Sequence, residues 1–140
     1  YKMDNAIFSA ENPLNVIGVL DWEMATVGDP LMDLGCTLGY WVETGDPDFF
    51  REYRTMPSDI EGAPTRAEIV ARFQDKTGIA VDNFPFYFCF GLFRLAVIGQ
   101  QIYYRYYQGL TKDKRFAMMV KKTHVLQQMC ELIMAGEVKT

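Results

Sequence analysis

Histidine and cysteine are scarce in this sequence, and their scarcity narrows the chemistry it can carry. The one histidine is His124. No Ser, Cys or Asp motif surrounds it, so a packing or surface role is expected and a histidine-centred catalyst is not. The three cysteines, Cys36, Cys89 and Cys130, are far apart, each inside an apolar helical pattern. That spacing fits buried, reduced thiols of a cytoplasmic protein, not a disulfide framework or a metal cluster. Long apolar runs are also missing. A spanning helix needs about 20 apolar residues, and the most hydrophobic stretch, 83–107, is broken by Arg94 and closed by Gln100 and Gln101. It predicts a central buried helix and no membrane span. Excess charge is absent too: the formal net charge is -4. This argues against general nucleic-acid binding and leaves neutral or cationic small substrates open. No signal peptide is visible, and the sequence does not begin with Met, which fits a piece of a longer protein.

What is present is a core. At 140 residues, 49% hydrophobic and 14% aromatic, the chain has the length of one domain and the composition of an ordered one. Ala6-Ile7-Phe8 reads as a short strand, Ser9 to Asn15 as a turn around Asn12-Pro13, and Val16 to Leu20 as the partner strand. From Asp33 to Val42 the pattern is helical, with Gly35 and Gly39 allowing close packing. Residues 43–64 carry three prolines and several acids and predict a surface excursion or lid with one short helix, Asp48 to Arg54. Thr65 with Glu68 three residues on is a capping-box signature for a helix ending before Gly78. After Gly109, Thr111 to Met134 predicts a final amphipathic helix. The expected fold is mainly α with a short β-hairpin.

The chemistry-bearing stretch is Val19-Leu20-Asp21-Trp22-Glu23-Met24-Ala25, continuing through Gly28-Asp29-Pro30 to Asp33-Leu34-Gly35. A strand that ends in Asp21 delivers a carboxylate to the sheet edge, and the hairpin brings it towards Asn5 at the start of the other strand. An Asn alone there is a turn residue, and an Asp alone is a cap. Together they suggest a divalent-cation and phosphate site, because magnesium asks for a few hard oxygen donors. Asp29 and Asp33 read as structural acids that bond backbone N–H groups of the loop. Glu23 reads either as outer support for a metal or as a loop cap.

These runs resemble the aminoglycoside phosphotransferase family, small-molecule kinases related to choline kinases and, more distantly, to protein kinases. The family's catalytic loop reads His-Gly-Asp-x-x-x-x-Asn, and Tyr1-Lys2-Met3-Asp4-Asn5 is similar to its last five positions. The resemblance implies the C-terminal lobe of a protein kinase-like α+β fold over residues 1–140. The N-lobe, the His, the Gly and the catalytic Asp would precede Tyr1, and this stretch by itself would be inactive. It implies magnesium and ATP, with Asn5 and Asp21 as metal ligands, Lys2 contacting the transferred phosphate, and Glu23 supporting the cofactor site. The acceptor would be a hydroxyl group of a small molecule. Phe93-Arg94-Leu95-Ala96 with Gln100-Gln101-Ile102-Tyr103 resembles the branch associated with acyl-CoA dehydrogenases, which implies a hydroxyacyl acceptor. Rival readings are a kinase-like domain kept for binding or regulation, and a helical interaction module.

Two further expectations concern charge. Arg94, amid Leu92, Phe93, Leu95 and Ala96, is expected to be buried and paired with an acid such as Asp33 or Glu43. Lys112, Lys114, Arg115, Lys121 and Lys122 are expected to form a solvated helix start and face, able at most to attract a phosphorylated substrate. Tyr103, Tyr104, Tyr106 and Tyr107 cover too much of one helix to share a face.

Overall fold

The computed structural model describes residues 2–23 and 25–138; Tyr1 and Met24, quoted in the motifs above, lie outside the described residues. A two-stranded antiparallel hairpin opens the fold, β1 Ala6–Phe8 and β2 Val16–Val19, with Ala6 opposite Val19, Ile7 opposite Gly18 and a bulge before Phe8. Five α-helices follow: α1 Pro30–Leu38, α2 Asp48–Arg51, α3 Arg66–Thr77, α4 Phe84–Tyr107 and α5 Met119–Met134, the last led in by a 3-10 turn over Lys114–Met118. The described chain is thus mainly helical with one hairpin.

The core lies where α4 packs against α1 on one side and α5 on the other. Phe84, Phe88 and Leu92 recur every four residues along α4. They meet Leu31, Leu34 and Leu38 of α1, and Val125, Leu126, Met129 and Ile133 of α5. Between α1 and α4 the backbones nearly touch. A Cβ on Gly35 would collide with the Tyr87 carbonyl, and one on Gly91 with the carbonyl of Gly35. None of the described helices is long and apolar enough to cross a membrane. The three cysteines are free thiols, Cys36 and Cys130 buried and Cys89 half-buried.

Helix α1 starts three residues earlier than its apolar period suggests. Pro30 occupies the first helical position, where its missing N–H costs nothing, and Asp29 caps the turn through Oδ1, which accepts from the Leu31 amide at 2.8 Å. The Tyr87 hydroxyl donates to the other oxygen of Asp29 at 3.2 Å. At α3 the capping box forms in full: Thr65 Oγ1 accepts from the Glu68 amide, and Glu68 Oε2 accepts from the Thr65 amide at 2.7 Å. Gly78 then closes α3 with φ 72°, a left-handed cap.

One charge expectation is overturned. Arg94 is exposed; it donates to Cys36 Sγ at 3.3 Å and makes no ion pair among the described residues. On α4 the buried face runs through Phe88 and Leu92. Arg94 lies about 200° around the helix from Leu92, on the far side. The buried guanidinium belongs to Arg66, which is 2% exposed. Its Nη1 and Nη2 bind Asp46 in a two-pronged pair at 2.8 and 2.6 Å, Nη1 also donates to the Trp41 carbonyl at 3.0 Å, and its carbon lies 4.8 Å over the Phe88 ring. Glu43 completes the cage, accepting from the Arg66 amide and standing 3.5 Å from Nη2. Together with Ser58 Oγ, which accepts from the Val42 amide and donates to the Val42 carbonyl, both at 2.9 Å, these bonds pin residues 43–64 to the helical body.

Candidate active site

The hairpin places its two ends side by side. Beyond the ladder, the Leu20 amide donates to the Asn5 carbonyl at 2.8 Å, which carries the strand pairing one step further. Asp21, the next residue, takes φ 67°. A non-glycine residue in this left-handed region costs about 1–2 kcal/mol, and Asp is among the few that tolerate it. The turn brings the Asp21 carboxylate back over the start of β1, where Oδ2 accepts from Asn5 Nδ2 at 2.9 Å. Backbone strain of this kind is found most often at active sites and ligand clamps. Trp22 fixes the exit, its indole N–H donating to the Val19 carbonyl at 2.7 Å.

The Asp21 carboxylate and the Asn5 side-chain amide oxygen are both hard donors, set side by side at this end of the hairpin. This donor set fits magnesium, which commonly takes one or two carboxylates and completes its shell with waters and substrate phosphates. Among the described residues no three His, Cys, Asp or Glu side chains converge into a metal cage. Waters and phosphate oxygens would supply the other donors.

The other expected residues spread around this pair. Lys2 is half-buried, its Nζ 3.3 Å from Asp4 Oδ2 and 6.0 Å from the Tyr40 ring centroid. Glu23 is exposed in the turn after Trp22. Asp29 bonds a backbone N–H as expected. Asp33 does not: it stands exposed in the first turn of α1, and among the described residues it accepts no hydrogen bond. His124 is exposed on α5, far from any nucleophile motif.

Tyr40, which sequence reasoning missed, sits just past α1 between these groups. Burial pushes its hydroxyl above the usual tyrosine range, the cations Lys2 and Arg94 pull it back, and Cys36 and Asp21 push it up again. Lys122 was missed as well. It is half-buried, not solvated as expected, and lines a cavity with Tyr40, Val42, Leu95 and Val125. Burial lowers its pKa, and the charge of Lys2 lowers it further. The signal was in the sequence: Lys122 precedes the core residues Val125 and Leu126 by three and four positions, which puts it on the packed face of α5.

Residues 1–69 match the phosphotransferase enzyme family. The likeness read from Asp21-Trp22-Glu23 and Gly28-Asp29-Pro30 is therefore shown, and it reaches through α2 to the capped start of α3. Across most of its length the chain is also similar to acyl-CoA dehydrogenase family members. It is 34% identical over 134 residues to acyl-CoA dehydrogenase family member 10 of Mus musculus, covering 94% of this chain and 12% of that protein. It is 31% identical over 113 residues to family member 11 of Homo sapiens, covering 78% of this chain and 14% of that protein. A probable acyl-CoA dehydrogenase of Arabidopsis thaliana is 26% identical over 115 residues. The chain thus spans roughly an eighth of the length of these relatives. No solved structure matches it.

Proposed function

We propose that this chain is the helical part of a kinase-like lobe, and that the protein containing it transfers a phosphoryl group from ATP, with magnesium, to a hydroxyl of a small molecule. The observation that carries the reading is the 2.9 Å bond between Asn5 and Asp21, which joins the start and the end of the hairpin and sets an amide and a carboxylate side by side at one edge. Magnesium, when bound, supplies the charge that neutralises the phosphates. The Asp21 carboxylate and the Asn5 amide oxygen would hold it. Asn5 has a second task, since its N–H donation locks the rotamer of Asp21 and so sets where the free carboxylate oxygen points. Lys2, three residues before Asn5 on the same turn, is placed to neutralise an oxygen of the transferred group. Glu23, one turn beyond Asp21, supports the loop from outside.

The relatives' names favour a hydroxyacyl compound as acceptor. The test is magnesium-dependent ATP consumption by the full-length protein over hydroxy acids, hydroxyacyl-CoA compounds, aminoglycosides and amino alcohols. A phosphorylated hydroxyl product, strongest among the acyl compounds, is the expected result. ATP that neither binds with magnesium nor is consumed with any acceptor would refute the proposal.

A further inference from the structure

The net charge of the chain is negative, yet three cations gather around Tyr40. Lys2 comes from the N-terminal turn, Arg94 from α4 and Lys122 from α5, and Tyr40 feels the charge of the first two while sharing a cavity with the third. The cavity lies among the end of α1, the segment after α2, and helices α4 and α5, with Gly39, Tyr53 and Arg54 also at its walls. Its accessible volume is about 20 Å³, which is room for one water or one small polar head and no more.

Four cations stand at or near this cavity; two already have acids, and Arg94 donates to Cys36 Sγ. Arg54 pairs with Asp59 at 3.0 Å, and Lys2 pairs with Asp4 at 3.3 Å. Lys122 forms no ion pair among the described residues. A lysine stem laid along apolar wall is ordinary when its ammonium reaches open water. Here Lys122 is half-buried at the wall of the cavity, no carboxylate pairs with it among the described residues, and burial together with the charge of Lys2 lowers its pKa. That arrangement is unfavourable empty and becomes favourable once an oxyanion enters.

We propose that this cavity is the acceptor's anchoring subsite, and that Lys122 selects acceptors carrying an oxyanion, a carboxylate or a phosphate, at the end away from the reacting hydroxyl. This rests on the phosphotransferase reading: Tyr40 lines the cavity, and its ring centroid lies 6.0 Å from the Nζ of Lys2, three residues before Asn5. The small volume admits only the charged head, so the rest of the acceptor lies across Tyr40 towards the Asn5–Asp21 edge. Lys122 is a specificity residue, not a catalytic one: its charge meets the acceptor's far end and takes no part in the bond that forms.

The test measures binding without turnover. The full-length protein is titrated calorimetrically, in the absence of nucleotide, with 3-hydroxybutyrate, its methyl ester, and glycerol 3-phosphate. At least one of the two oxyanions should bind and the neutral ester should bind more weakly. Lys122→Met should weaken the oxyanion by about 10–100-fold, the range of a hydrogen bond to a charged group, and leave the ester unchanged. Lys122→Arg should restore most of the loss. Which oxyanion binds better distinguishes a carboxylate acceptor from a phosphorylated one. Asp21→Asn should leave oxyanion binding intact while lowering turnover about 10²–10³-fold, so failure of the metal assignment and failure of the anchoring subsite give different results. Equal binding of acid and ester, no binding of either oxyanion, or a Lys122→Met protein that binds oxyanion like wild type would overturn the proposal.

Discussion

The Arg66 guanidinium and the Asp46 carboxylate lie in a two-pronged pair, Nη2 to Oδ1 at 2.6 Å, with each side chain only 2% exposed. Asp46 belongs to the acid-rich stretch after α1, and Arg66 opens α3, so one ion pair ties the excursion to the body of the fold. Removing one partner of such a pair leaves a buried charge uncompensated, at a cost of about 3–5 kcal/mol. Asp46→Ala should lower stability by that order in denaturant unfolding. Asp46→Leu combined with Arg66→Met, which removes both charges, should be clearly less damaging than Asp46→Ala alone.

Gly35 and Gly91 set how closely α1 approaches α4. A methyl at either position meets backbone, which cannot swing aside as a side-chain tip could. Gly35→Ala and Gly91→Ala should each cost at least the 1–3 kcal/mol typical of overpacking. Gly28→Ala, with nothing within 4 Å of the added carbon, is the matched control and should leave the unfolding midpoint unchanged.

The capping box gives a pH dependence of known sign. Bonds from the Thr65 amide and hydroxyl hold the Glu68 carboxyl below its ordinary pKa. A depressed folded-state pKa means stabilisation that is present above the unfolded value and lost as pH falls through the folded one. The protection of amides in the first turn of α3, measured as exchange relative to the intrinsic rate at each pH, should therefore fall as the solution is acidified below the ordinary glutamate range. In Glu68→Gln that acid sensitivity should vanish.

Much of this was legible in the residues, for local reasons. The hairpin, the Thr65–Glu68 box and the long α4 each follow from spacing within a dozen or so neighbours. The Asn5–Asp21 contact was legible because a hairpin converts sequence order into proximity. Arg66 was not: its partners Glu43 and Asp46 lie some twenty residues earlier in an irregular segment, where no period links them to α3. Arg94 misled for the opposite reason, since apolar neighbours along the chain say little about which face of a helix turns inward. Lys122 was readable from its register with Val125 and Leu126, but the adjacent Lys121, which is exposed, disguised it as part of a solvated face.

In the proposed reaction Asp21 holds magnesium against the phosphates of ATP. The most direct test is the turnover of Asp21→Asn in the full-length protein, titrated with magnesium on the best acceptor. The amide keeps the size of the side chain and removes its charge, so the variant should unfold at a temperature close to that of wild type. Turnover should fall about 10²–10³-fold, as for other preorganised electrostatic contacts, and excess magnesium should recover only part of it. An Asp21→Asn protein that turns over like wild type at every magnesium concentration would contradict the claim.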